Sequence, residues 1–176
     1  MAQRRARKSP WTDDRDALEL IARLLVSSSY RVPVEGTGTK SGLQAADVAG
    51  AVGYMRDRLA QTTALAVATR AQERDVARLS AMAFRRVVRV VRLIRPRPLD
   101  LHQPADRWRL RIAVYDAAYE LVWPEHRRPY ADLARDAKMR KASYIAVHKA
   151  ASATLQEALN NGRRELAMRL FAERAT

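Results

Sequence analysis

Apolar residues recur at intervals of three and four along most of this chain, which is the spacing expected of α-helices. In residues 12–28, apolar side chains gather on one helical face: Leu18, Ile21, Leu24 and Leu25. A half-buried strand would alternate with a period of two, and no segment does so convincingly. Even in the valine-rich run VVRVVRLI, the arginines follow intervals of three or four. The pattern therefore predicts an all-α fold.

Proline, glycine and short polar runs divide this pattern into separate helices. We predict helices over residues 12–28, 43–60, 63–95, 106–122, 130–137, 141–160 and 163–174. The expected stops are Arg95-Pro96-Arg97-Pro98, Trp123-Pro124 and Asn161-Gly162. On this pattern the chain divides into a tail, 1–11, a helical N-terminal region, 12–95, a linker, 96–105, and a C-terminal domain, 106–176, that ends in a trailing helix.

Composition narrows the class of protein. The chain has 176 residues, of which 48% are apolar and 30% charged, as in globular rather than disordered proteins. It has no cysteine, which excludes disulfides, cysteine-ligated zinc and thiol catalysis. No apolar run approaches the roughly 18 residues of a membrane span, so we expect a cytoplasmic protein without a membrane partner.

The net charge of +14 is concentrated in three places. The excess of basic over acidic residues is four in the tail, seven in residues 84–111 and five in residues 127–149, whereas residues 12–83 are neutral. A charge needed only for solubility would be spread more evenly. The concentration indicates a polyanionic partner such as a nucleic acid, and the neutral part suggests a packing or protein-contact half.

Residues 130–149, YADLARDAKMRKASYIAVHK, fit a helix-turn-helix. Such a unit needs a small residue where its two helices approach, and Ala134 supplies it. It also needs apolar side chains that bury the corner, which we expect from Leu133, Ala137, Met139, Tyr144 and Val147. The turn falls at 138–140, where glycine is usual because the backbone is left-handed; here Lys138 must adopt that conformation.

The second helix of this unit would enter the major groove of DNA. Its outward positions are predicted to be Arg140, Lys141, Ser143, Ile145, Ala146 and Lys149. Cationic side chains at the start of such a helix suit phosphates and guanine edges, and Arg127 and Arg128 would add phosphate contacts. The alternative is an ordinary antiparallel helix pair with a basic exposed face.

The helix-turn-helix is preceded by DRWRLRIAVYDAAYELVWPEHRRPYADLARDA, a long helix, a proline-containing turn and a short helix. This order resembles region 4 of sigma factors. It is also similar to the C-terminal part of phage late antitermination proteins of the Q type and to activators of gene transfer agents. The resemblance covers residues 106–160, and residues 1–100 match no family signature.

The resemblance implies a sequence-specific transcription regulator of phage type. Such a protein binds double-stranded DNA in the nucleoid and acts on RNA polymerase, directly or through its sigma factor, to activate transcription or prevent termination. It works alone, as a homodimer or with a second regulator subunit. The alternatives are a DNA-packaging adaptor like a phage small terminase subunit, and a non-specific nucleic-acid-binding protein.

A second basic surface is predicted on the helix FRRVVRVVRLIRPRP and the start of the next helix. Its residues are Arg85, Arg86, Arg89, Arg92, Arg107 and Arg111. This surface would contact nucleic acid or polymerase; a solvated face of a core helix or a membrane-surface helix are the alternatives.

We expect no enzyme, cofactor or metal site. His102, His126 and His148 lie in a predicted linker, a turn and a helix, and no set of nucleophile, base and acid shows itself. The run GTGTKSG, in a loop at 31–42, lacks the four-residue spacing between glycines of a phosphate-binding loop.

Overall fold

The computed structural model describes residues 16–26 and 44–172, and within these ranges the backbone forms helices and turns without a strand. The prediction of an all-α fold is confirmed. The helices are α1 (Ala17–Ile21, continued by a π-helical turn, Ala22–Val26), α2 (Ala45–Gly53), α3 (Arg58–Ala68), α4 (Glu73–Val91), α5 (Pro104–Val122), α6 (Tyr130–Asp136) and α7 (Lys141–Ala172). The predicted tail and the loop at 31–42 lie outside the described residues.

The helix predicted over 43–60 is interrupted, and this prediction was wrong. α2 ends at Gly53, and Asp57 then caps α3, with its carboxylate accepting hydrogen bonds from the amides of Leu59 and Ala60 at 2.9 and 3.4 Å. An N-terminal cap of this kind stabilises a helix start by about 1 kcal/mol. The capping aspartate therefore separates two helices that hydrophobic spacing alone had joined.

The helix predicted over 63–95 is also divided in two. α3 ends at Ala68, and Arg70 adopts a left-handed backbone with φ +51°. The amide of Ala71 donates to the carbonyl of Ala66 at 2.9 Å, which closes the last turn of α3 in the manner of a Schellman motif. The chain then reverses into α4.

The segment predicted as a linker contributes to the core. α4 ends at Val91 and α5 begins at Pro104, where proline suits the first helical turn. The peptide bond between Arg95 and Pro96 is cis. Leu99 of this segment is buried in an apolar cluster that includes side chains from both sides of residues 96–105.

Asn161-Gly162 does not end a helix, contrary to prediction. α7 continues through it for 32 residues in all. Gly162 lies where α7 crosses α3: a Cβ atom there would stand 2.7 Å from the carbonyl oxygen of Ala60 and 3.2 Å from the Cβ of Ala64. The glycine is required by close packing between two helices rather than by a turn.

α7 is the element around which the others pack. It contacts each of the other six helices, α1 to α6. The first half buries Tyr144, Val147 and Leu155 in one apolar cluster, and the second half buries Leu166 and Leu170 in another. The start of α7, where the predicted DNA-reading positions lie, therefore packs against α5.

Candidate nucleic-acid interface

The turn between α6 and α7 has the left-handed backbone that we predicted from the sequence. Lys138 adopts the left-handed conformation, with φ +51°. The amide of Met139 donates to the carbonyl of Ala134 at 2.9 Å, and the amide of Lys138 donates to that of Arg135 at 3.0 Å. These bonds satisfy carbonyls at the end of α6 that would otherwise lack partners. α7 starts three residues after Lys138.

The corner between α6 and α7 is apolar, as predicted. The fully or nearly fully buried side chains are Leu133, Ala134, Ala137, Tyr144 and Val147. Met139 is half-buried against the same cluster. α6 and the start of α7 therefore form a packed unit.

Tyr144 fastens this unit to α5. Its hydroxyl donates to the carboxylate of Asp116 at 2.6 Å, and the tyrosine ring is completely buried. Burial raises the pKa of Asp116, although the hydrogen bond from Tyr144 opposes the shift. Burial likewise raises the pKa of Tyr144, so its hydroxyl remains protonated.

His148 lies beneath the same unit and is 1% exposed. Burial lowers its pKa, while the carboxylate of Glu120, 3.3 Å from its Nε2, opposes the shift. The side chain is therefore neutral near pH 7 and packs beside Tyr130 and Tyr144. Because it is buried, His148 serves packing and does not face a ligand.

The predicted DNA-reading residues lie on the outer side of the first turns of α7. Arg140, Lys141 and Lys149 are exposed, and within the described part of the chain their side chains form no hydrogen bond or ion pair. Ser143, Ile145 and Ala146 are partly exposed between them. Lys141, Ile145 and Lys149 follow one another at intervals of four, so they share one face.

The two predicted phosphate contacts are engaged within the protein. The Nε of Arg127 lies 3.0 Å from a carboxylate oxygen of Glu120, and the guanidinium of Arg128 lies 2.7 Å from Asp136. Arg127 also lies over the ring of Tyr130. Both arginines are more than half exposed, and pairs exposed to this degree are held weakly, so a phosphate could compete for either guanidinium.

The second basic surface divides into free and engaged arginines. Arg85, Arg89, Arg92 and Arg107 are exposed, and their side chains have no partner among the described residues. Arg86 instead forms a two-pronged ion pair with Asp57 at 2.8 and 2.9 Å. This guanidinium lowers the pKa of Asp57. Arg111 lies over the ring of Phe84, 5.4 Å from its centre.

Three further basic residues lie beside this surface, in the part of the chain whose net charge is zero. Arg56 and Arg58, at the start of α3, and Arg78, in α4, line one open groove together with Arg85 and Arg86. The count missed them because residues 12–83 sum to zero. The arginine spacing along 74–92 was the signal that could have found Arg78.

No group of three or more His, Asp or Glu side chains that could hold a metal ion occurs within residues 16–26 and 44–172. In the same ranges, no helix is both long and apolar enough to cross a membrane.

In comparisons with known proteins, no family model, curated protein or solved structure matches the chain. The resemblance to sigma region 4 thus rests on residues 106–160 themselves.

Proposed function

We propose that this protein is a sequence-specific DNA-binding regulator that reads duplex DNA with the start of α7. The observation that carries the proposal is the left-handed turn at Lys138, followed directly by the exposed cations Arg140 and Lys141 and, further along the outer face of α7, by Lys149. The side chains of these three cations have no partner among the described residues. A helix presented by such a turn fits the major groove of DNA, which is about 12 Å wide.

The electrostatics of the helix start support this proposal. An isolated helix N-terminus favours negative charge, and acidic side chains commonly occupy its first turn. α7 has no acidic residue in its first turn, and two exposed cations stand at its start: Arg140, directly before the helix, and Lys141, its first residue. Such an arrangement does not stabilise the helix by itself. Bound phosphates would supply the missing negative charge.

The resemblance to sigma region 4 adds RNA polymerase as the proposed protein partner and transcription activation or antitermination as the proposed role. Recovery of polymerase subunits together with specific DNA in a pull-down from the native host is the expected result. Recovery of neither would remove the regulatory part of the proposal.

The DNA-reading assignment is tested by selecting a target duplex from a random library with the full-length protein and footprinting it. Arg140→Ala/Lys141→Ala should abolish the footprint, because each lost base-edge or phosphate contact weakens binding, by about 1–3 kcal/mol for a bidentate base pair contact. The matched control is Arg97→Ala/Arg164→Ala, which removes two exposed cations elsewhere. An unchanged footprint with Arg140→Ala/Lys141→Ala would overturn the assignment.

Two other functions give different results in solution. A packaging adaptor of the small terminase type would form a ring of many copies, which light scattering detects, whereas a regulator would be a monomer, dimer or heterodimer. A non-specific nucleic-acid-binding protein would show a small affinity ratio between selected and random duplexes. A specific regulator should reach a ratio of roughly 10³ or more.

A further inference from the structure

An open groove of about 870 Å³ lies between the N-terminal end of α3 and the middle of α4. Five arginines line it: Arg56, Arg58, Arg78, Arg85 and Arg86. Among the described residues that line the groove, the single acidic side chain, Asp57, is neutralised by its two-pronged ion pair with Arg86. The groove therefore keeps an excess of positive charge from the remaining four arginines.

These four arginines are available to a ligand. All are exposed, and none forms an ion pair with a carboxylate of the described residues. Among the four, Arg58 alone forms a side-chain hydrogen bond within the described residues, at 3.3 Å to the amide oxygen of Gln61. A guanidinium without a carboxylate partner binds phosphate in a two-pronged geometry.

The groove continues into a stripe along the outer face of α4. At 3.6 residues per turn, five exposed arginines fall within about 60° of arc on this helix: Arg74, Arg78, Arg85, Arg89 and Arg92. The buried residues of α4 occupy the opposite face, with Leu79, Ala83 and Val87 in the core. At about 1.5 Å per residue the stripe is roughly 27 Å long, which equals the rise of about eight base pairs of duplex DNA.

The composition of the stripe favours nucleic acid over a protein partner. Protein interfaces have an apolar core, whereas interfaces with DNA are more polar and far more positive. Of the apolar side chains along the groove, Leu59 is buried, Met82 is half-buried and only the small Ala81 is exposed among the described residues. Among the described residues that line the groove none is aromatic, so it offers no platform on which bases could stack.

We propose that the groove and stripe, formed by Arg56, Arg58, Arg74, Arg78, Arg85, Arg89 and Arg92, bind the phosphodiester backbone of duplex DNA without reading its sequence. A helix face bearing regularly spaced cations suits a rigid duplex, whose phosphates recur at a regular spacing along each strand. This site is independent of the start of α7. It would increase total affinity and salt dependence while leaving discrimination between sequences to α7.

The test is Arg78→Gln/Arg85→Gln in the full chain, with the affinity for a random-sequence duplex measured between 50 and 200 mM salt. Each lost phosphate contact lowers the slope of log affinity against log salt by roughly 0.9, so the slope should fall by roughly 2. The ratio of affinities for selected and random duplexes should stay the same, which separates this site from the proposed reading by α7. Arg86 is not substituted because it forms an ion pair with Asp57, which caps the N-terminus of α3.

The matched control is Arg97→Gln/Arg164→Gln, which lowers the net charge of +14 by the same amount through exposed arginines outside the groove. The control should keep the original slope. An unchanged slope in Arg78→Gln/Arg85→Gln, or an equal fall in the control, would overturn the proposal. A fall seen only with a single strand of the same length would contradict the assignment to duplex DNA.

Discussion

The turn between α3 and α4 and the turn between α6 and α7 share their backbone geometry. Arg70 and Lys138 have the same left-handed φ of +51°. In each turn the next amide donates to a carbonyl five positions earlier, at 2.9 Å. In each, the following helix starts three residues after the left-handed residue. Within the described residues, two pairs of consecutive helices are thus joined by turns of the same local form.

The surroundings of the two turns differ. The guanidinium of Arg70 donates to the carbonyl of Val122 at 2.9 Å and pairs with Glu125, while the indole of Trp123 donates to the carbonyl of Ala71 at 3.0 Å. The first turn is therefore docked against the end of α5.

The helix starts differ in charge as well. α4 begins with Glu73 and Asp75, which suit the positive end of a helix. α7 begins with the exposed Lys141, directly preceded by the exposed Arg140. Backbone geometry alone thus does not distinguish a structural corner from a candidate DNA-reading unit. The charge at the start of the second helix distinguishes them, because both helix starts are exposed.

We expect the largest effect from Trp123→Ala, which removes both the ring and the N–H donor that dock the first turn. The free energy of unfolding should fall by about 3 kcal/mol, measured by urea denaturation. The control is Trp108→Ala. Trp108 is 52% exposed, so its loss should change stability by no more than about 0.5 kcal/mol. Equal losses for both tryptophans would show that docking of the turn is not the cause.

We expect a smaller effect on the free energy of unfolding from a substitution at Gly162, where α7 crosses α3. In an unconstrained helix, glycine to alanine is stabilising by about 1 kcal/mol. Gly162→Ala should instead destabilise the protein by about 2 kcal/mol, because its Cβ would clash with the backbone of Ala60.

Gly50 in α2 is the matched control, since among the described residues no atom beyond its own stretch of α2 lies within 4 Å of a Cβ built there. Gly50→Ala should raise the melting temperature, and Gly162→Ala should lower it. A rise in both variants would mean that α3 and α7 do not approach as closely as the structure places them.

We expect the smallest change in the free energy of unfolding from glycine substitutions at the two left-handed residues, Arg70 and Lys138. Lys138→Gly should increase the free energy of unfolding by about 1 kcal/mol, because glycine adopts this conformation without strain. Arg70→Gly relieves the same strain but loses the contacts with Val122, Glu125 and Trp123, so it should bring no net gain. Thermal denaturation of both variants makes the comparison. An equal gain in Arg70→Gly would show that its side-chain contacts contribute nothing.

Local physical chemistry was enough to predict much of the C-terminal part. Periodicity placed α5, Trp123-Pro124 ended it, and the small and apolar residues of 130–149 indicated a buried corner with a left-handed Lys138. These features depend on neighbours within a few residues, so they can be read in the sequence. The helical class follows from the same spacing.

Tertiary structure decided the features that depend on distant parts of the chain. Arg70 has no intrinsic reason to end a helix, and its partner Val122 lies 52 positions away. Gly162 has the local signature of a stop, yet α3 passes so close that α7 needs a glycine in mid-helix.

The same distinction applies to charge. Counting along the chain made residues 12–83 neutral, because acidic residues there equal basic ones. The fold pairs Asp57 with Arg86 and so leaves Arg56, Arg58 and Arg78 beside Arg85 without a carboxylate partner in the described structure. The sequence by itself determined the helical class and the total charge, since both follow from composition and local spacing. Only the tertiary structure decided which charges are cancelled, because an ion pair depends on which side chains meet in space.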